Sequence, residues 1–140
     1  YEEAKNYFKK SIELADGALT PRYNLSQIYL KFGLYENARE QLEFLLKKNN
    51  KDIDFLNSYA HLQLMDKNYN KALRFFSKIP EQYRSRDDIA TNLGMSHFML
   101  GNFDEAKSIL KSAEKKDSHY INAQADIIKK IEKKQKAGKL

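Results

Sequence analysis

The sequence predicts an all-α fold made of antiparallel helix pairs, and three observations lead to this prediction. A 34-residue period runs through the 140 residues. The chain contains only five Gly and two Pro, which are too few for the many turns of a β-sandwich or barrel. Residues that favour helices, chiefly Ala, Leu, Lys and Glu, fill the positions between the repeated ones. We therefore expect about eight helices in succession.

The repeat consists of aligned columns. Aromatic residues open each unit's second helix, at Tyr1, Tyr35, Tyr69 and Phe103. Alanine follows three residues later, at Ala4, Ala38, Ala72 and Ala106. A large apolar residue follows four residues after that, at Phe8, Leu42, Phe76 and Leu110. These spacings place the three columns on one helix face, and the alanine marks a close crossing of two helices.

Helices are predicted near 1–14, 19–32, 35–48, 52–65, 69–79, 87–100, 103–116 and 119–136. We expect Gly33 and Gly101 to take the positive φ that ends a first helix, with Asn68 beside Lys67 doing so in the middle unit.

Four helix starts carry capping signals. Thr20 followed by Pro21 is typical of an N-cap with proline in the first turn. Asp52, Asp87 and Ser118 are predicted N-caps of the later first helices.

These motifs resemble those of the tetratricopeptide-repeat (TPR) family, through Leu93-Gly94 and the segments 33–38 and 101–106, GLYENA and GNFDEA. The resemblance implies a right-handed superhelix whose first helices line a concave face that binds an extended or helical peptide. The short Lys- and Asn-rich units are also similar to bacterial TPR proteins of envelope assemblies, including pilus-assembly lipoproteins of the tight-adherence type. The sequence departs from the family pattern at Pro80, which opens an unusual connector, 80–86.

We expect one TPR array over 1–136. It would comprise the second helix of a truncated repeat (1–18), three full repeats (19–52, 53–86 and 87–120), a C-terminal solvating helix (121–136) and a flexible basic tail (137–140). The sequence opens inside a repeat, so we expect the true N-terminus to lie upstream. The compartment, cytoplasmic or periplasmic, is left open.

Projecting the family's concave face onto the chain selects twelve partner-binding residues. They are Tyr23, Gln27, Leu30, Lys31, Asn57, His61, Leu64, Met65, Thr91, Met95, Phe98 and Met99. The lining is mainly apolar and rich in methionine, which favours a groove for an amphipathic helix or apolar segment of another protein. The alternative is that Leu64, Met65, Phe98 and Met99 belong to the core.

A family comparison adds a restriction. TPR co-chaperones that grip the C-terminal carboxylate of heat-shock proteins use Lys, Arg and Asn at fixed places, where this chain has Tyr23, Gln27, Ser58, Asp88 and Asn92. Because the cations of that clamp are missing, we do not expect acidic chaperone tails to bind. The connector, with Tyr83, Arg84 and Arg86, is a second candidate contact surface. The alternative is that it is a plain exposed linker.

The net charge of +6 is concentrated at one end. Residues 129–140 carry six lysines and one glutamate, so the rest of the chain is almost neutral. Solubility explains such a cluster, and binding of nucleic acid or acidic lipid is the alternative function. Nucleic acid is otherwise not expected as a partner, and self-association through the two unfinished ends is a third option.

No catalytic, cofactor-binding or metal-binding residues are expected. The chain has no Cys, and none of its three histidines is paired at the spacing of helical metal ligands. His97 is predicted in the core, His61 in the groove and His119 at a solvated helix start. No apolar run approaches the length of a membrane span. The sequence therefore favours a non-enzymatic interaction scaffold or adaptor within a multiprotein assembly.

Overall fold

A computed structural model describes residues 1–14 and 18–138 as helices joined by short turns. Its α-helices, in chain order, are α1 (Glu2–Leu14), α2 (Leu19–Lys31), α3 (Tyr35–Lys48), α4 (Ile53–Met65), α5 (Tyr69–Phe76), α6 (Asp87–Met99), α7 (Phe103–Lys111) and α8 (Ser118–Ala137). A 3₁₀ turn, Glu81–Tyr83, lies between α5 and α6. Within the described ranges the fold is all-α, as predicted.

The helices form two layers. Each helix packs against the next along the chain. The first helices of the units, α2, α4, α6 and α8, also contact one another in that order and are called the A helices below. The second helices, α1, α3, α5 and α7, are called the B helices and lie on the other side.

The alanine column lies in the buried interior in three of its four units. Ala38, Ala72 and Ala106 are completely buried, whereas Ala4 on α1 is exposed. On α6, the size of the residue at Gly94 is also restricted, by a neighbour on α7. A Cβ added to Gly94 would lie 2.6 Å from the side chain of Leu110, so α6 and α7 approach too closely there for any larger residue.

The predicted positive φ is confirmed at two glycines, and in the middle turn it belongs to a different residue from the one predicted. Gly33 and Gly101 adopt φ values of +72° and +80°. In the middle turn the left-handed residue is Lys67, with φ 64°, and Asn68 has φ −92°. Asn68 instead uses its side-chain amide, which donates to Gln63 Oε1 at 3.2 Å.

Of the predicted N-caps, only Asp52 is confirmed, since its carboxylate accepts from the backbone N–H of Phe55 at 3.1 Å. The residue before α2 is Ala18, so Thr20 and Pro21 lie inside the first turn. The cap of α8 is Asp117, which accepts from the N–H of His119 at 2.9 Å, and Ser118 is already helical.

Asp87 is the largest correction. It is the first residue of α6, and its side chain does not cap that helix. Its buried carboxylate accepts from the backbone N–H groups of Lys115, Lys116 and Asp117 at 2.9, 2.7 and 3.0 Å. The loop before α8 folds around this carboxylate, which explains why α7 ends at Lys111 and not near residue 116 as predicted.

Helix α5 is also shorter than predicted, ending at Phe76 and not at Ile79. Pro80 cannot continue a helix. The released carbonyls find a new donor in Arg84, whose guanidinium binds Ile79 O at 2.8 Å and Ser77 O at 3.1 Å. The connector is therefore folded against the end of α5.

Candidate functional site

The A helices together line a cleft of about 520 Å³, called the A-helix cleft. Every A helix contributes to it, because consecutive A helices contact each other along one side of the molecule. Its lining residues are Tyr23, Gln27, Leu30 and Lys31 from α2, Asn57, Ser58 and His61 from α4, Asp88 and Asn92 from α6, and His119 and Tyr120 from α8.

Hydrogen bonds between A helices organise the floor of this cleft. Gln27 Nε2 donates to Ser58 Oγ at 2.9 Å, and Asn57 Nδ2 donates to Asp88 Oδ2 at 3.2 Å. The His61 ring lies 3.1 Å from Asn92 Oδ1. These three pairs join residues 31 positions apart, so the polar side chains form a regular ladder across the array.

The contact with Asn92 determines the tautomer of His61. Asn92 Oδ1 can only accept, so His61 Nδ1 carries the proton and Nε2 is left as an acceptor. Burial lowers the pKa of His61 below its ordinary value of 6.5, and the hydrogen bond with Asn92 acts in the opposite direction. The ring is therefore neutral at pH 7 and presents an acceptor to the cleft.

Charged groups occupy two regions of the cleft. Arg86 lies at one edge, where it contacts Asp54 at 2.7 Å and Asp88 at 2.7 and 2.9 Å. The hydrogen bonds to Asp88 raise the pKa of Arg86, which keeps this guanidinium charged. Two carboxylates share this one cation, so the edge has a net negative charge. Lys31 lies on α2 and is exposed.

Six of the twelve residues selected from the sequence line the A-helix cleft: Tyr23, Gln27, Leu30, Lys31, Asn57 and His61. The other six do not. Leu64 and Thr91 are buried, and Met95 and Phe98 pack against the core clusters. Met65 and Met99 are exposed outside the cleft. The expected apolar, methionine-rich lining is therefore wrong, since most of the cleft residues are polar.

The spacing of the ladder explains this error. The prediction used the sequence period of 34, whereas three of the four hydrogen-bonded pairs between cleft residues of neighbouring A helices are 31 positions apart, and the fourth, Asn92 with Asn57, is 35 apart. The lining thus moves about one helical turn toward the N-terminus with each successive A helix. Residues at a spacing of 34 therefore lie outside the cleft on α6, where Thr91 is buried and Met99 is exposed elsewhere.

The predicted partner-binding residues do not include Ser58, Asp88 and Asn92, which line the cleft. The sequence comparison uses these three positions only to show that the cations of the carboxylate clamp are missing. His119 and Tyr120 also line the cleft, and no sequence signal identified them. Their place depends on the loop around Asp87, which sets where α8 begins.

The remaining histidine and the connector differ from expectation. His97 is half-buried, not in the core, and its Nδ1 lies 3.2 Å from Asn102 Nδ2. In the connector, Arg84 and Arg86 are bound within the fold and Tyr83 is 42% exposed. In the part of the chain that the structure describes, no three His, Asp or Glu side chains are grouped so that they could hold a metal ion.

None of the helices described is both long and apolar enough to cross a lipid bilayer.

Comparison with known proteins agrees with this architecture. A protein-family model described as "Tetratricopeptide repeat" matches residues 1–17 of the sequence. A solved structure titled "MamA MSR-1 C2" superposes with a TM-score of 0.65 at 19% identity, covering 97% of this chain and 87% of that one. A structure of a MamA mutant gives a TM-score of 0.63, also at 19% identity, covering 97% of this chain and 88% of that one.

No curated protein matches the sequence. A second protein-family model, described as "Coatomer epsilon subunit", matches residues 26–139, which is most of the sequence. The helical repeat is therefore of the TPR type, and the chain belongs to the coatomer epsilon subunit family.

Proposed function

We propose that this protein is a non-enzymatic adaptor that binds an extended segment of a partner protein in the A-helix cleft. The TPR-type array is a protein-interaction scaffold in general terms. The observation that supports the specific proposal is the polar ladder, which runs across the A helices in one continuous cleft.

The ladder leaves groups that suit a peptide backbone. Gln27 uses its amide nitrogen on Ser58, so its Oε1 remains available as an acceptor. His61 Nε2 is a second acceptor, one A helix further on. An extended strand offers N–H groups at regular intervals to such acceptors. The cleft therefore supports recognition of main chain, with side chains giving specificity.

Charge gives the partner segment a direction. Lys31 favours an acidic residue over α2, and the net negative edge at Asp54 and Asp88 favours a basic residue over α6. The family description names a subunit of a larger assembly, coatomer. By analogy, the segment recognised here belongs to another component of a multiprotein assembly.

Site-specific cross-linking tests the proposal. A photoreactive phenylalanine analogue replaces Tyr120, which lies in the cleft, or Tyr83, which lies outside it. We expect position 120 to cross-link to a partner, and mass spectrometry to map the cross-link to one extended segment. Position 83 should form no cross-link to that segment.

Two variants complete this test. Lys31→Glu with Gln27→Ala should abolish the cross-link from position 120 while circular dichroism shows an unchanged helix content. The matched control, Met65→Glu with Met99→Glu, changes exposed residues outside the cleft and should retain it. Loss in the control alone would place the site on the methionine surface and contradict the proposal.

A second candidate function is binding of an anionic surface through α8. Its lysines 129, 130, 133, 134 and 136 are exposed on the side away from Ile127 and Ile131, which are buried. Replacing these five lysines with Gln should remove any salt-sensitive binding to acidic vesicles or RNA. Unchanged binding by that variant would exclude this function for α8.

A further inference from the structure

The B-helix side contains a second cleft, called the B-helix cleft, with a volume of about 380 Å³. Its walls are α5, the connector, α6 and α7. Helices α5 and α7 do not pack closely on each other in the described residues. The cleft is the space between them, next to the point where α5 ends at Phe76 and the connector begins.

The cleft has an apolar floor. Leu73, Phe76, Leu93 and Ile109 come from three helices and meet at its base. Phe76 and Leu93 are buried, whereas Leu73 and Ile109 are partly buried. A floor of this kind accepts one apolar side chain, whose burial would displace water from the two partly buried residues.

The rim is acidic. Glu81 on the connector and Glu105 on α7 are exposed, and neither forms an ion pair with a residue that the structure describes. Arg84 is the cation of the rim, but its guanidinium donates to the carbonyls of Ile79 and Ser77. It is therefore held by the backbone and does not bridge the two glutamates.

His97 adds a neutral donor. Asn102 Nδ2 is a donor, so His97 Nδ1 accepts and Nε2 carries the proton. Burial lowers the pKa of His97, and the Glu105 carboxylate acts in the opposite direction. The ring is thus neutral at pH 7, and the lining keeps a net negative charge from two glutamates and one arginine.

We propose that the B-helix cleft is a second docking site, which takes an apolar side chain flanked by lysine or arginine from a partner protein. The apolar residue lies on Leu73 and Ile109, and the flanking cations face Glu81 and Glu105. This site is on the opposite layer from the A-helix cleft, so the scaffold binds two segments at once and bridges them.

Short peptides of defined chemistry test this proposal. The probe is acetyl-Lys-Phe-Lys-amide, and the comparison peptides are acetyl-Lys-Ala-Lys-amide and acetyl-Glu-Phe-Glu-amide. Binding is followed by NMR, through the methyl signals of Leu73, Leu93 and Ile109. We expect saturable shifts of these signals with the first peptide and at least threefold weaker binding of the other two.

Variants locate the site and separate it from the A-helix cleft. Glu81→Gln with Glu105→Gln should weaken the probe by about threefold to tenfold, the effect of losing two exposed ion pairs. Ser108→Trp, on the rim, should fill the cleft and abolish the shifts. Glu3→Gln with Glu40→Gln, exposed acids elsewhere, and Lys31→Glu in the A-helix cleft should leave binding unchanged.

Two results would overturn the second docking site. One is equal binding of the Glu-flanked peptide, and the other is an equal effect of the Glu3 and Glu40 control. Neither result bears on the A-helix cleft, which is tested by cross-linking from Tyr120.

Discussion

The carboxylate of Asp87 accepts a hydrogen bond from the side-chain amide of Gln124 at 3.1 Å, which joins the start of α6 to the second turn of α8. Both side chains are buried, at 5% and 1% exposure. Gln124 also donates to Thr91 Oγ1 at 3.2 Å, and its Oε1 accepts from Lys115 Nζ at 2.8 Å. With the three backbone N–H groups on Asp87, this network holds the last helix on the array.

Asp87→Asn should destabilise this junction. The amide keeps the shape of the side chain, but an NH₂ group replaces one of the two carboxylate oxygens. This NH₂ group is a donor and would face backbone N–H groups, which are also donors. Hydrogen bonds to a charged group contribute about 1.5–3 kcal/mol each, so we expect the free energy of unfolding to fall by at least about 2 kcal/mol. Urea denaturation measures this, and hydrogen exchange should show α8 opening first.

Asp126→Asn is the matched control for Asp87→Asn. Asp126 lies on α8 and is exposed, so its substitution should change stability by less than about 0.5 kcal/mol. Equal effects of the two substitutions would mean that the junction does not depend on the buried carboxylate.

Asp87 should also make stability fall in acid. Burial acts to raise the pKa of its carboxyl, but the hydrogen bonds from Gln124 and the three backbone N–H groups outweigh burial and lower the pKa to about 2 from an ordinary 3.8. The unfolded chain therefore takes up this proton first as the pH falls. The contribution is complete above pH 3.8 and is lost as the pH falls toward 2.

The size of this pH effect follows from the pKa change. Each pKa unit corresponds to about 1.4 kcal/mol, so the contribution of Asp87 is roughly 2 kcal/mol. The stability difference between wild type and Asp87→Asn should therefore shrink between pH 5 and pH 2 in denaturation curves. A difference that stays constant over this range would show that the carboxylate is not the group responsible.

Gly94→Ala should destabilise the protein through steric overlap. The added methyl group would lie 2.6 Å from Cγ and Cδ2 of Leu110, and Leu110 is fully buried. Overpacking costs about 1–3 kcal/mol, which exceeds the gain of about 1 kcal/mol in helix propensity. We expect a net loss of up to about 2 kcal/mol in the free energy of unfolding.

A double-mutant cycle with Leu110→Ala identifies the cause of the Gly94 effect. When Leu110 is truncated, the methyl group added at position 94 has room, so Gly94→Ala should become neutral or stabilising. If Gly94→Ala were equally harmful in both backgrounds, contact with Leu110 would not be the reason for glycine there.

Lys67→Gly should stabilise the middle turn. Lys67 has a φ of 64°, which costs a residue with a Cβ about 1 kcal/mol, and glycine occupies the equivalent positions 33 and 101. Glycine loses more entropy on folding, so we expect a net gain of a few tenths of a kcal/mol. Lys71→Gly, inside α5, is the control and should cost about 1 kcal/mol; thermal unfolding compares the two.

The positions of the helices were predictable from sequence because the repeat is periodic. The aromatic residues Tyr35, Tyr69 and Phe103 begin α3, α5 and α7, as predicted. Ala38, Ala72 and Ala106 are fully buried because each B helix crosses its A helix at that residue. Such features depend on neighbours close in sequence, and a local pattern records them.

The A-helix cleft was predictable in location but not in character. The resemblance to the TPR family implied a site on the first helices, where Gln27 and His61 line the cleft. Its polar lining depends on how far each A helix is displaced relative to the next. That displacement results from packing between units and cannot be predicted from any single residue. The residues predicted on α2 therefore line the cleft, whereas on α6 Thr91 is buried and Asn92 lines the cleft in its place.

By itself, the sequence determined the fold class, the repeat phase, the two glycine turns and the close crossings at alanine, because each depends on the local period of 34. Only the tertiary structure decided the spacing of 31 across the A helices, the role of Asp87, and the B-helix cleft beside the shortened α5. Those features arise where residues from different units meet. Their geometry depends on the packing angle between units, which the order of residues within one unit does not contain.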